Sequence, residues 1–168
     1  RSISKTGDKI SILGYGCMRF QMKEEAGAQV IDQESVNELV DYAIAHGINY
    51  FDSAPVYLQG QSELATAKAL LRHPRESYLI ATKCSLFRGT PTFEAGESMY
   101  RRSLEIYGTD HIDYYLMHHL TDVAMWEKLK AVGILDWIEE KKKTGHNILC
   151  PTLFISSKYS SEQKYQKI

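Results

Sequence analysis

Residues 112–118 read Ile-Asp-Tyr-Tyr-Leu-Met-His, a short apolar run that ends in a polar side chain. Hydrophobic residues fill consecutive positions from 114 to 117, which is typical of a strand buried on both faces. Such strands belong to parallel sheets covered by helices, whereas strands of open antiparallel sheets alternate apolar and polar residues. The stretch therefore predicts an α/β protein with a parallel sheet.

Similar runs recur along the chain, separated by segments of helical periodicity. The predicted strands are residues 10–15, 48–51, 78–82 and 112–117, with a possible fifth at 148–155. The first predicted helix lies between Asp32, its N-cap, and Gly47, the left-handed residue at its end. The other predicted helical segments are 62–71, 95–107 and 123–143, and the last of these breaks near Gly133. These strands and helices make up four βα units. Both a doubly wound sheet and a (β/α)8 barrel are built from such units.

Two of the predicted helices have apolar sides. The first helix places these residues on one face: Val36, Leu39, Val40, Ala43 and Ile44. The second helix has Leu64, Ala67 and Leu71 on one side. Its Glu63 is interpreted as a carboxylate favoured by the helix dipole, with no catalytic role.

The composition is that of an ordinary globular domain, with 43% hydrophobic and 24% charged residues among 168. Twenty basic and twenty-one acidic residues give a formal net charge of -1, so the chain has no general field for nucleic acid or an anionic membrane. No apolar run approaches the roughly 20 residues that span a bilayer. The composition predicts a protein without nucleic-acid or membrane partners.

The three cysteines, Cys17, Cys84 and Cys150, are widely spaced and odd in number. This pattern argues against a disulfide framework and against a metal site of the CxxC kind. A reducing cytoplasm is the predicted location.

Polar residues stand where three of the predicted strands end. Asp52, Lys83 and His118 each follow an apolar run, and Tyr57 lies in the loop just after Asp52. Each residue taken singly also has a purely structural interpretation. Asp52 would cap a turn, Lys83 would be a solvated charge and His118 would be a core histidine. The carboxyl ends of parallel strands form one edge, where α/β proteins build active sites. The coincidence of three such ends predicts one pocket holding an acid, an amine, an imidazole and a phenol.

The sequence resembles the aldo-keto reductase family over about residues 8–145. The stretches that carry the resemblance are Gly14-Tyr15-Gly16-Cys17-Met18-Arg19, Gly47-Ile48-Asn49-Tyr50-Phe51-Asp52-Ser53-Ala54 with Tyr57, Gly60-Gln61-Ser62-Glu63, Ala81-Thr82-Lys83, Ser103-Leu104 with Asp110, and 112–118. The resemblance implies a (β/α)8 TIM-type barrel closed at its base by an N-terminal hairpin, which residues 2–11 would supply through a turn at Gly7-Asp8. The first stretch looks most like the bacterial branch whose longer members add a ferredoxin-like cysteine cluster, although this chain has no such cluster.

The resemblance also implies a reaction, the transfer of hydride from NADPH or NADH to an aldehyde or ketone. Tyr57 would be the general acid, Lys83 the cation that stabilises the phenolate left behind, and Asp52 the partner that holds Lys83. His118, rather than His119, would orient the carbonyl. The implied cofactor contacts are Gly16, Cys17, Met18, Arg19 and Asp52.

The match fades after Gly145, and residues 1–145 are predicted to be the N-terminal half of the barrel. Residues 146–168 are predicted to be a divergent tail, the product of truncation or a frameshift, because Pro151 would interrupt an inner strand. A full barrel takes about 250 residues, and its phosphate site comes from its last loops, so most of that site is expected to be missing. Exposed barrel edges would favour self-association.

Three functions remain open at this point. The first is an NAD(P)H-dependent carbonyl reductase that is present as a fragment or is completed by a partner, and the second is a non-catalytic half-barrel remnant or binding module. The third is an aldolase or isomerase that uses Lys83 as a Schiff-base amine, which would leave Tyr57 and His118 without a role.

Overall fold

The structure, a computed structural model, describes residues 7–87, 89–120 and 122–143 together with the backbone of 148–149. The strands of its main sheet are β1 (Tyr15–Gly16), β4 (Tyr50–Asp52), β5 (Leu79–Cys84), β6 (Tyr114–Met117) and β7 (Ile148–Leu149). A separate hairpin consists of β2 (Met22–Glu25) and β3 (Ala28–Ile31). The helices are α1 (Gln33–Ala45), α2 (Ser62–Leu70), α3 (Phe93–Tyr107), α4 (Val123–Ala131) and α5 (Ile134–Lys143).

The main sheet is parallel, and its five strands follow one another in the order β1, β4, β5, β6 and β7. Each new strand joins the same growing edge, so the order contains no reversal. A doubly wound sheet reverses direction at its switch point, whereas a barrel adds its strands in sequence. The fold is therefore the first part of a (β/α)8 barrel, which confirms the predicted class.

The two faces of this sheet carry different side chains. Phe51, Ile80 and Tyr115 are all about 1% exposed and belong to the core that the helices cover. Side chains alternate along a strand, so Asp52 and Lys83 face the opposite side, the interior of the barrel. The pairing of Asp52 with Ala81 in register places the two polar residues close together near the carboxyl edge.

The predicted helices agree with the structure except on their buried sides. In α1, Leu39 was predicted on the apolar face but is 44% exposed, and α2 differs more. The break near Gly133 separates α4 from α5, and Gly133 adopts a left-handed φ of 77°. In α2, however, Leu64 and Leu71 are 48% and 59% exposed. Apart from Leu70, the buried residues of α2 are small or polar, and the helix packs between α1 and α3. The apolar side predicted for α2 was therefore wrong for Leu64 and Leu71, whereas Ala67 is buried.

The N-terminal region departs most from the prediction. Ile12 and Leu13, within the predicted strand at 10–15, are 86% and 66% exposed, and β1 begins only at Tyr15. The hairpin of β2 and β3 turns at Ala26-Gly27 and was not predicted. The predicted hairpin at 2–11 lies partly outside the described residues, as does the divergent tail apart from β7.

A charged cluster ties the starts of β5 and β6 together. Asp113 Oδ2 accepts hydrogen bonds from Arg75 Nη2 at 2.6 Å and from the backbone N–H of Ile80 at 2.8 Å. The Arg75 guanidinium also lies over the Tyr78 ring and donates to the Tyr78 carbonyl. This cluster holds the relative position of the two strands at the edge opposite to the predicted pocket.

Among the described helices, none is both long enough and apolar enough to cross a membrane.

Candidate active site

Lys83 and Asp52 form an ion pair at the carboxyl edge of the sheet. Lys83 Nζ lies 2.5 Å from Asp52 Oδ1 and donates a second hydrogen bond of 2.6 Å to the Ser53 carbonyl. Lys83 is only 8% exposed, so these two oxygens compensate a charge that is largely removed from water. The ammonium is thereby fixed in position at the end of β5.

Tyr57 lies beside this ammonium. Lys83 Nζ is 4.8 Å from the centroid of the Tyr57 ring, a cation–π distance. The turn that carries the ring is unusual, because Leu58 and Gln59 both adopt left-handed φ angles, 48° and 57°, without being glycine. Such backbone strain is concentrated at functional sites, where the surrounding fold enforces it.

His118 completes the group from the end of β6. Its ring centroid is 5.7 Å from that of Tyr57 and 5.1 Å from that of Phe87, with both rings edge-on to it. Its Nδ1 lies 2.6 Å from Ser85 Oγ. His119 has a left-handed φ of 57°, and its ring centroid lies 5.0 Å from that of Phe87. The structure thus brings the three strand-end residues together with Tyr57.

A cleft of about 450 Å³ opens next to these residues. It is lined by Met18, Arg19, Phe20, Val56, Tyr57, Leu58, Phe87 and His118. Its walls are thus mostly apolar, with a phenol, an imidazole and a guanidinium among them. The volume and this composition are those of a small-molecule site.

Besides Asp52, which pairs with Lys83, four residues were predicted to contact a cofactor, and they divide into two groups. Met18 and Arg19 line the cleft, and a Cβ added at Gly16 would meet no atom within 4 Å. Cys17, by contrast, is fully buried in the core, and its backbone N–H donates to the Asp52 carbonyl. Only the backbone of Cys17 thus borders the site.

Burial makes the two described thiols unreactive, and this is directly testable. It raises the pKa of Cys17 and of Cys84 to about 12, while the thiolate is the form that reacts. We expect a Cys150→Ser chain to show no thiol reacting with Ellman's reagent at pH 8 in the native state, and two reacting in urea. Reaction of either thiol at the unfolded rate would contradict this burial.

Sequence reasoning missed Ser85 and Phe87, which lie in the loop that follows Lys83 and the end of β5. Ser85 contacts the His118 ring by a hydrogen bond and Phe87 packs against it edge-on. Their positions, two and four residues beyond a strand-end lysine, were the available signal, because residues just past that edge also face the pocket.

Glu63 was assigned only to the start of a helix, and the structure gives it a different environment. It is 2% exposed, and its Oε1 accepts hydrogen bonds from Thr82 Oγ1 at 2.6 Å and from Ser103 Oγ at 2.8 Å. Burial raises the pKa of Glu63 even though both hydroxyls favour the carboxylate. This carboxyl group links α2, α3 and the residue next to Lys83, on the helix side of the sheet.

The raised pKa of Glu63 predicts a pH dependence of stability. The folded chain binds this proton more tightly than the unfolded chain, so the contribution of Glu63 to stability falls as pH rises from its ordinary pKa of 4.5 through the raised value. We expect wild type to lose stability relative to Glu63→Gln across that window, by about 1.4 kcal/mol per unit of pKa difference. Urea unfolding between pH 4 and 8 measures it, with the exposed Glu38→Gln as control. Parallel profiles would contradict it.

Within the described residues, no group of three or more histidine, cysteine, aspartate or glutamate side chains is placed to hold a metal ion.

Comparison with known proteins agrees with this arrangement. Residues 12–146 match the sequence profile of the aldo/keto reductase family. A soybean (Glycine max) protein named probable aldo-keto reductase 1 is 36% identical over 145 residues, which cover 82% of this chain and 40% of the relative. L-galactose dehydrogenase of Arabidopsis thaliana is 31% identical over 124 residues, which cover 71% of this chain and 38% of the relative.

A solved structure shows the same fold. The holo form of an aldo-keto reductase from Bacillus halodurans superposes with a TM-score of 0.65 at 27% identity, over 90% of this chain and 50% of that one. The chain thus spans half or less of the length of these three proteins. Its profile match, its sequential parallel strands and its four polar residues at one edge all agree, and the chain belongs to the aldo/keto reductase family.

Proposed function

We propose that this chain carries the proton-transfer machinery of an oxidoreductase that reduces a small aldehyde or ketone with NADPH or NADH. The observation that carries the proposal is the arrangement of Asp52, Lys83, Tyr57 and His118, which lie together at one edge of the sheet. Tyr57 and His118 also border the same cleft. An acid beside a fixed cation, with an imidazole next to it, is what a carbonyl reduction requires.

The residues around the cleft fit a nicotinamide ring. The open space above Gly16 lets a flat ring approach the backbone, and Met18 and Phe20 offer apolar surface beside it. When bound, the reduced nicotinamide supplies the hydride that the carbonyl carbon accepts. The ring is common to NADPH and NADH, so the proposal covers both.

Each of the four side chains then has a role. Tyr57 donates its phenolic proton to the carbonyl oxygen as negative charge develops there, and Lys83 stabilises the phenolate that remains. Asp52 keeps Lys83 in place through the 2.5 Å ion pair. His118 orients the carbonyl by hydrogen bonding to the same oxygen.

The Schiff-base alternative has less support. Lys83 Nζ is nearly buried and donates to Asp52 Oδ1 and to the Ser53 carbonyl, so both contacts would have to break before the nitrogen reached a carbonyl carbon. We therefore assign Lys83 an electrostatic role.

The experiment is a titration of the 168-residue chain with NADPH, followed by cofactor fluorescence, with the oligomeric mass measured in the same buffer. Micromolar binding, together with loss of NADPH absorbance when aldehydes are added, supports the proposal. A dimer in that buffer supports self-association through the barrel edges. A folded chain that binds no cofactor contradicts the proposal and favours a non-catalytic binding module.

A further inference from the structure

Ser85 lies immediately beyond β5 and is 5% exposed. Its Oγ is 2.6 Å from Nδ1 of His118, a short hydrogen bond between two side chains that come from neighbouring strand ends. Both partners of the bond are residues of this chain and lie in the described part of the fold. It gives the imidazole a specific partner on the side of Nδ1.

The backbone sets this contact. The β5–β6 register pairs Cys84 with Met117, and the His118 N–H then donates to the Cys84 carbonyl at 3.0 Å. The two residues that follow, Ser85 and His118, are thereby brought side by side. The backbone N–H of Ser85 lies 3.1 Å from Met99 Sδ on α3, which anchors the serine from the helix side.

Aromatic packing restrains the plane of the imidazole but does not select its nitrogens. Tyr57 and Phe87 meet the ring edge-on at interplanar angles of 83° and 77°. A rotation of the ring by half a turn would exchange nitrogen and carbon positions and leave its outline nearly unchanged. Only a hydrogen bond distinguishes the two orientations.

We propose that Ser85 is a positioning residue that fixes the orientation and tautomer of His118. The serine hydroxyl donates to Nδ1, so the proton of the neutral imidazole resides on Nε2. A carbonyl oxygen only accepts hydrogen bonds, and Nε2–H is the donor that can orient it. The catalytic consequence and the direction of this hydrogen bond rest on the proposed function, because a hydroxyl and an imidazole nitrogen can each donate at 2.6 Å, whereas the pairing of Ser85 with Nδ1 rests on the contact itself.

The test is ¹⁵N NMR of the histidine rings in the full 168-residue chain, with the His118 signals identified by their loss in His118→Gln. In wild type, we expect a protonated Nε2 and a hydrogen-bonded acceptor Nδ1. Ser85→Ala should move the Nδ1 resonance to the position of an acceptor without a hydrogen bond, and Ser85→Thr, which keeps a hydroxyl, should restore it. The exposed Ser98→Ala is the matched control.

An unchanged His118 Nδ1 resonance in folded Ser85→Ala would overturn the inference, and so would a wild-type proton on Nδ1. Where the chain reduces carbonyls, Ser85→Ala should lower kcat about tenfold with little change in KM, and Ser85→Thr should recover it. The NMR result stands without turnover. A shifted resonance in a chain that reduces nothing would therefore contradict the proposed function and support the role of Ser85.

Discussion

If the proposed function holds, Tyr57→Phe should lower the rate of carbonyl reduction by about a hundredfold to ten-thousandfold, the range expected when a general acid is removed, and should leave the affinity for NADPH nearly unchanged. The substitution deletes one hydroxyl and keeps the ring that packs against His118 and lies over Lys83. The loss should therefore appear in kcat and not in cofactor binding. Steady-state kinetics and cofactor fluorescence on the same preparation measure the two quantities.

Tyr42→Phe is the matched control, because Tyr42 is 66% exposed on α1 and is not among the residues that line the cleft. It removes the same hydroxyl and should leave both quantities at the wild-type level. An unchanged rate in Tyr57→Phe would remove Tyr57 from the mechanism. Loss of rate and cofactor affinity together, with altered circular dichroism, would instead mark a folding defect.

The sequence alone was sufficient to predict the strand-end residues, and the reason is local. Asp52, Lys83 and His118 each follow an apolar run, and parallel strands bring their carboxyl ends to one edge whatever the helices do. Tyr57 was predictable because its loop begins at that edge. The contacts among them, such as the 2.5 Å ion pair, follow from the register of β4 and β5.

What sequence reasoning missed depends on packing between distant segments. Glu63 looks like an ordinary helix-start carboxylate, and its burial follows from the close approach of α2 to Thr82 and Ser103, which lie 19 and 40 residues away. The exposure of Leu64 has the same cause, because small residues of α2, and not Leu64, make the contact with the neighbouring helices. Periodicity along one helix does not report which face its neighbours cover.

Asp113→Ala should cost about 3 kcal/mol of unfolding free energy, a large share of the stability of a typical domain. The Asp113 side chain is 12% exposed, and its Oδ2 serves both the Arg75 guanidinium and the Ile80 N–H. Its removal leaves a partly buried cation and a backbone donor without that acceptor. Urea unfolding of the purified variant measures the loss.

Asp110→Ala is the matched control for this prediction. Asp110 is 95% exposed and pairs with His111, a neighbour of Asp113, so its loss should change stability by no more than about 0.5 kcal/mol. Equal losses in the two variants would mean that Asp113 acts as a surface charge. A loss of stability in Asp113→Ala alone would mean that the β5–β6 register depends on the charged cluster at the opposite end of both strands. That register brings Lys83 and Ser85 beside His118. Hydrogen exchange at Lys83 and His118 should then accelerate in Asp113→Ala alone.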